Sequence, residues 1–79
     1  MKHFVYILYS KSLNEYNKGY SIDINRRLKE HNEGASRYSS TGIPWVVVYC
    51  KEFETKKAAL IEEKRLKKLN RKSIEKLIS

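Results

Sequence analysis

Apolar residues run unbroken from Phe4 to Tyr9, and a β-branched, aromatic run of this length predicts a buried strand. The polar stretch Ser10 to Glu15 predicts a loop. Tyr16 to Ser21 predicts a second short strand with Gly19 inside it, a residue that marks a bulge or a close approach of backbone to something else. A link of this length suits a hairpin with a long turn. Asp23 is an N-cap candidate for a helix through about Glu33, stopped by Gly34, with Ile24 and Leu28 four apart on the core face. Ser36 to Gly42 reads as an exposed loop. Pro44 then precedes a third strand, Trp45 to Cys50, where its missing N–H does least harm. Thr55 can cap a long helix from about Lys56 to Leu69. Ser73 to Ile78 predicts a last short helix with Ile74, Leu77 and Ile78 on one side.

The order β-β-α-β-α-(α) predicts a small α+β layer. No internal repeat, linker or low-complexity tract interrupts it, so the 79 residues are expected to form one domain, 1–79. Composition adds little to the fold: 41% hydrophobic and 33% charged suits a globular chain. Charge changes the picture more. Lys and Arg total 17 against 9 Asp and Glu, a net +8, which favours a polyanionic partner, nucleic acid before anionic membrane surface. From Lys56 to Ser79 there are nine Lys/Arg against three Glu, +6 of that +8. Such a run is often only a solvated helix face; its concentration here favours a surface that tracks phosphates.

Other classes fall away. Cys50 alone cannot build a disulfide framework, and with His3 and His31 it cannot close a zinc site within one chain. No apolar run approaches the roughly 20 residues of a membrane span, and the basic start leads straight into a strand, so a cytoplasmic location is expected. So small a core would gain stability from oligomerisation or from nucleic acid.

Arg27 and His31 share a helix face beside the Ile24–Leu28 stripe. On spacing alone they read as an exposed arginine and a half-buried histidine. On the long helix, a projection at 100° per residue gathers Ala58, Ala59, Ile61, Leu66 and Leu69, with Glu62 near the middle of that side and Glu63 on its flank. A carboxylate there must be paired or bound to a cation. Periodicity favours Glu62 as a metal ligand; salt bridges of both glutamates to Arg65 or Lys67 are the plainer alternative. Tyr6 shares a strand face with Phe4 and Leu8, usually a packing position.

Taken in order, Phe4-Val5-Tyr6-Ile7-Leu8, then Tyr16-Asn17-Lys18-Gly19-Tyr20-Ser21, then Asp23 to Asn32, then Pro44-Trp45 with the valine-rich strand, and last Glu63 to Lys67, the chain resembles the stand-alone GIY-YIG domains of small bacterial endonuclease-like proteins. The resemblance covers nearly the whole chain. It implies a three-stranded antiparallel sheet flanked by helices, with a nuclease site that uses Mg²⁺ or Mn²⁺. It implies Tyr6 as activator of the attacking water, Arg27 as stabiliser of charge on the scissile phosphate, His31 as assisting base, and Glu63, rather than Glu62, as metal ligand. Lys18, Arg26, Lys64, Lys67, Lys68, Arg71 and Lys72 are the expected nucleic-acid contacts, with DNA favoured over RNA and repair or recombination as the setting. Substrate choice would be loose or supplied by a protein partner, and any self-association weak.

Two positions depart from the pattern. Phe4 stands where the first motif usually has glycine. Counting back from Gly19, the second motif's tyrosine position holds Asn17. Either Asn17 replaces that phenol, or a bulge brings Tyr16 into the site, since a one-residue slip sends a strand side chain to the other face. An active nuclease and a catalytically weakened nucleic-acid-binding module are therefore both carried forward. A ribosome- or RNA-associated basic protein ranks below them, because the sheet lacks an obvious aromatic RNA-binding signature.

Overall fold

The computed structural model describes residues 1–34 and 36–79. Its elements are β1 (His3–Ser10), β2 (Glu15–Ser21), α1 (Ile24–Asn32), α2 (Arg37–Thr41), β3 (Trp45–Phe53), α3 (Lys56–Lys67) and α4 (Arg71–Ile78). The strands form one antiparallel sheet in the order β2-β1-β3, so the apolar first strand is central. The α+β expectation holds, with one helix added and the strands slightly longer than expected.

Alternation along β1 supplies two cores. Val5 and Ile7 point to one face and pack with Ala59, Leu66 and Ile74 of α3 and α4. Tyr6 and Leu8 point to the other and pack with Trp45, Ile24, Leu28 and Leu13. Helices must therefore cover both faces. Asp23 caps α1 as expected, accepting from the Arg26 N–H at 3.0 Å, and Gly34 takes a positive φ of 72° just past its end. Thr55 caps α3, and Asn70 caps α4 two residues earlier than the sequence suggested.

The exposed loop expected over Ser36 to Gly42 is instead largely helix α2. Its first turn is closed by a capping box in which Ser36 and Ser39 each bond the other's backbone N–H. Ser39 is buried, and its carbonyl accepts from the Trp45 indole N–H at 2.9 Å. A serine-rich stretch looks solvated in sequence, but each hydroxyl here replaces water with a local bond.

Trp45 is held on its backbone as well. The Asn32 side chain accepts from the Trp45 N–H at 2.6 Å and donates to its carbonyl at 3.1 Å, acting as a one-residue neighbour to the β3 edge. Buried Ser10 donates to the Gly42 carbonyl at 2.7 Å and fixes the approach to β3 from the other side. Asn32→Ala leaves a backbone N–H and a carbonyl without partners beside a buried indole. We expect a loss of about 1–3 kcal/mol in stability, read from urea unfolding.

Candidate active site

Strands β1 and β2 pair without a bulge, placing Tyr6 opposite Gly19, Leu8 opposite Asn17 and Tyr9 opposite Tyr16. Asn17 and Gly19 therefore share the Tyr6 face, while Tyr16, Lys18 and Tyr20 share the other. Tyr16 packs at 5.0 Å on the Tyr9 ring with the Arg71 guanidinium 5.2 Å over it, so it stays with the opposite core. The position opposite Leu8, two residues from Gly19, carries an amide.

Gly19 makes room for the phenol. A Cβ at that residue would lie 2.7 Å from Tyr6 Cζ, well inside contact distance, so the Tyr6 ring crosses bare backbone towards the β2 edge. Tyr6 is 3% exposed. Burial pushes its hydroxyl above the usual tyrosine range, Arg27 pulls it down, and Glu63 and Glu30 push it up. At neutral pH the phenol is thus a hydrogen-bond donor, with one cation and two carboxylates acting on it from α1 and α3.

Arg27 is exposed, and Glu30 and Glu63 are half-buried. A cleft of about 530 Å³ is lined by Arg27 and Glu30, together with Tyr20, Ser21, Arg26 and Lys56 among others; Glu63 is not in its wall. Arg27 belongs to both the cleft and the phenol. Glu30 escaped the sequence reading, although its place three residues after Arg27 on one helix face was the available signal. Lys56 escaped as well, because nothing local in the sequence shows that the start of α3 meets α1.

His31 is half-buried. Its ring sits edge-on to Trp45 at 5.6 Å, and Nδ1 lies 3.1 Å from the Arg27 carbonyl. A carbonyl only accepts, so Nδ1 is the donor in this contact. Glu62 occupies the buried side of α3 that periodicity gave it, but as an ion pair. It accepts from Arg65 at 2.6 and 2.9 Å and from the Tyr49 hydroxyl at 3.1 Å. Glu63 is the more available carboxylate, 3.6 Å from the exposed Lys67 ammonium. Ile61, expected on the core side of α3, is 62% exposed.

A family model described as the GIY-YIG catalytic domain matches residues 2–77. The chain belongs to the GIY-YIG family. Its similar proteins are bacterial members of the UPF0213 group within it. One from Bacillus velezensis is 39% identical over 77 residues, 96% of this chain and 77% of the relative. YazA of Bacillus subtilis is 35% identical over 74 residues, 92% and 74% respectively. A UPF0213 protein of Bacillus halodurans, solved by solution NMR, superposes with a TM-score of 0.64 at 34% identity, covering 99% of this chain and 83% of that one.

In this GIY-YIG domain the expected basic contacts divide. Arg26 lines the cleft, and Lys64, Lys68 and Lys72 are exposed along α3 and α4. Lys67 pairs with Glu63. Lys18 lies on the face away from Tyr6 and donates to the Leu69 carbonyl at 3.4 Å; burial and the Lys67 charge lower its pKa. Arg71 donates to the Asn14 carbonyl at 2.7 Å and to its side-chain oxygen at 2.5 Å, fixing α4 to the β1–β2 turn.

Among the described residues no three His, Cys, Asp or Glu side chains gather as a metal cluster. The donors near Tyr6 are hard oxygens, Glu63 with Glu30 close by. That set suits Mg²⁺, which keeps several waters and takes phosphate oxygens, and does not suit zinc. No described helix is long and apolar enough to cross a membrane.

Two outcomes follow. Gly19→Ala drives a methyl into the Tyr6 ring and should cost about 1–3 kcal/mol in chemical denaturation. Glu62 is held below its ordinary pKa, mainly by Arg65 and then by Tyr49, against burial. A carboxyl depressed by folding stabilises above its unfolded pKa and loses that contribution as pH falls through the folded one. Melting temperature should therefore fall faster in the wild type than in Glu62→Gln between about pH 5 and pH 3, the two curves converging at the acid end.

Proposed function

We propose that this domain hydrolyses phosphodiester bonds in nucleic acid, DNA before RNA, using a divalent cation held at Glu63. The observation that carries the reading is the pairing of Tyr6 with Gly19, which sends the phenol across bare backbone into the field of Arg27 and Glu63. Membership of a family whose domain is described as catalytic supports it. In this reading the Tyr6 phenol, once ionised, would accept the proton of the attacking water as tyrosinate, and the Arg27 guanidinium stabilises charge on the phosphoryl oxygens. His31, one turn from Arg27, assists proton movement through Nε2. Mg²⁺ or Mn²⁺ bound at Glu63 would supply positive charge to the phosphoryl oxygens and favour ionisation of the phenol, offsetting the effect of burial. Arg26 in the cleft and Lys64, Lys67, Lys68 and Lys72 on the helices track neighbouring phosphates, which makes binding strongly salt-dependent. Lys18 and Arg71 act at the margin of that surface, since each already has an internal partner.

Asn17 favours a second reading. It stands on the Tyr6 face, and an amide donates a hydrogen bond to phosphate or water but cannot act as a base. A domain with this fold could then bind nucleic acid with weakened chemistry.

One assay separates the two. The protein is incubated with nicked, branched, single-stranded and supercoiled DNA and with RNA, in Mg²⁺ or in chelator. We expect metal-dependent cuts that fall at least about 100-fold in Glu63→Ala and in Tyr6→Phe. Cutting unchanged in Glu63→Ala rejects the cation assignment. Binding without cuts, converted to cutting by Asn17→Tyr, identifies the weakened module.

A further inference from the structure

We propose that the outer face of α3 docks an acidic amphipathic helix of a partner protein. Leu60 and Ile61 stand 37% and 62% exposed in the middle of this helix. With Lys56, Lys57 and Lys64 they line a shallow concavity of about 430 Å³ whose floor is apolar and whose rim is basic. Lys57, Leu60, Ile61 and Lys64 follow the spacing of one helical stripe, so floor and rim lie on a single accessible face.

The packing of α3 alone does not account for this face. Its inward positions are Ala59, Glu62 and Leu66. A carboxylate thus occupies a buried position, neutralised by Arg65 and Tyr49, while the isoleucine beside it in sequence points to water. Folding alone favours the reverse arrangement. An outward apolar pair ringed by lysines offers a contact surface that packing within this chain does not use.

Charge selects the occupant. Lys56, Lys57 and Lys64 take no part in the ion pairs among the described residues. A second copy of this chain would set three lysines against three. Nucleic acid matches the charge but would place hydrated phosphates on an apolar floor. A flat anionic membrane matches charge and floor but does not fill a concavity. A helix that inserts one or two leucine-sized side chains between flanking glutamates satisfies all three features. The inference does not use the chemistry at Tyr6, but it shares Lys56 with the cleft and Lys64 with the proposed phosphate-tracking surface, so a docked helix and nucleic acid would compete there.

The test uses the full ¹⁵N-labelled chain and a synthetic helical peptide with leucines at i, i+3, i+4 and i+7 and glutamates at the flanking positions. Saturable shifts should centre on Lys57, Leu60, Ile61 and Lys64. Binding should weaken at least about tenfold in Ile61→Lys, which removes the apolar contact while adding a positive charge that would by itself favour the acidic peptide. Leu60→Lys should behave alike, and Ile61→Lys should keep the wild-type melting temperature because that position is 62% exposed. The proposal is overturned if the peptide does not saturate, or if Ile61→Lys binds as tightly as wild type. It is overturned equally if a peptide with lysines for glutamates binds as well. Phosphatidylglycerol vesicles or a duplex oligonucleotide shifting the same residues, with the peptide giving no response, would overturn the proposal and assign the face to membrane or nucleic acid instead.

Discussion

Strand β1 has no solvent face, and the architecture follows from that constraint. Val5, Ile7, Tyr6 and Leu8 are all buried, two towards each side of the sheet. A strand apolar on both faces must be central and covered twice. The first position is met by pairing with β2 and β3, the second by α1 and α2 on one face and α3 and α4 on the other. Side chains of α1 and Lys56 of α3 accordingly line one cleft at the end of β2, and charges from both helices act on one phenol. Tyr6 is at once a core residue and the centre of the candidate site, so its burial and its raised pKa have a single cause.

Much of this was legible because each element carried its own local signal. The unbroken apolar run, Asp23 and Thr55 as caps and Gly34 as a stop are short-range features, and the elements lie close to where those residues put them. What the sequence concealed was settled by contacts between distant segments. Helix α2 exists because Ser39 has Trp45 to bond, six residues on, and a Ser/Thr-rich stretch does not announce a tertiary partner. The choice between Tyr16 and Asn17 depended on whether β2 bulges. Only pairing with β1 decides that, since both registers are locally plausible.

Helix α3 shows the limit of periodicity most clearly. Projection correctly put Glu62 on the inner side but placed Ile61 there too. Neighbours in sequence lie about 100° apart on a helix, so when the buried arc is narrow only one of them can occupy it. Arg65, three residues on, and Tyr49 from β3 neutralise Glu62 and so decide which one. Periodicity counts apolar residues; it does not see that a paired carboxylate can take their place. The same pairing leaves Glu63 without Arg65, with Lys67 as its ion-pair partner among the described residues.

The state of Glu63 bears on whether a cation can reach it. Lys67 lies 3.6 Å away with more than half of its side chain in solvent, whereas the Glu63 side chain is 19% exposed. An ion pair open to water on one side contributes roughly 0–1 kcal/mol, so displacing the ammonium costs little. Lys67 therefore guards Glu63 only loosely. A half-buried carboxylate whose ion-pair partner is weak and solvent-exposed is compatible with the divalent ion proposed for Glu63. Had Glu63 been locked as Glu62 is, by a two-point guanidinium contact and a phenol, it would have had no such capacity.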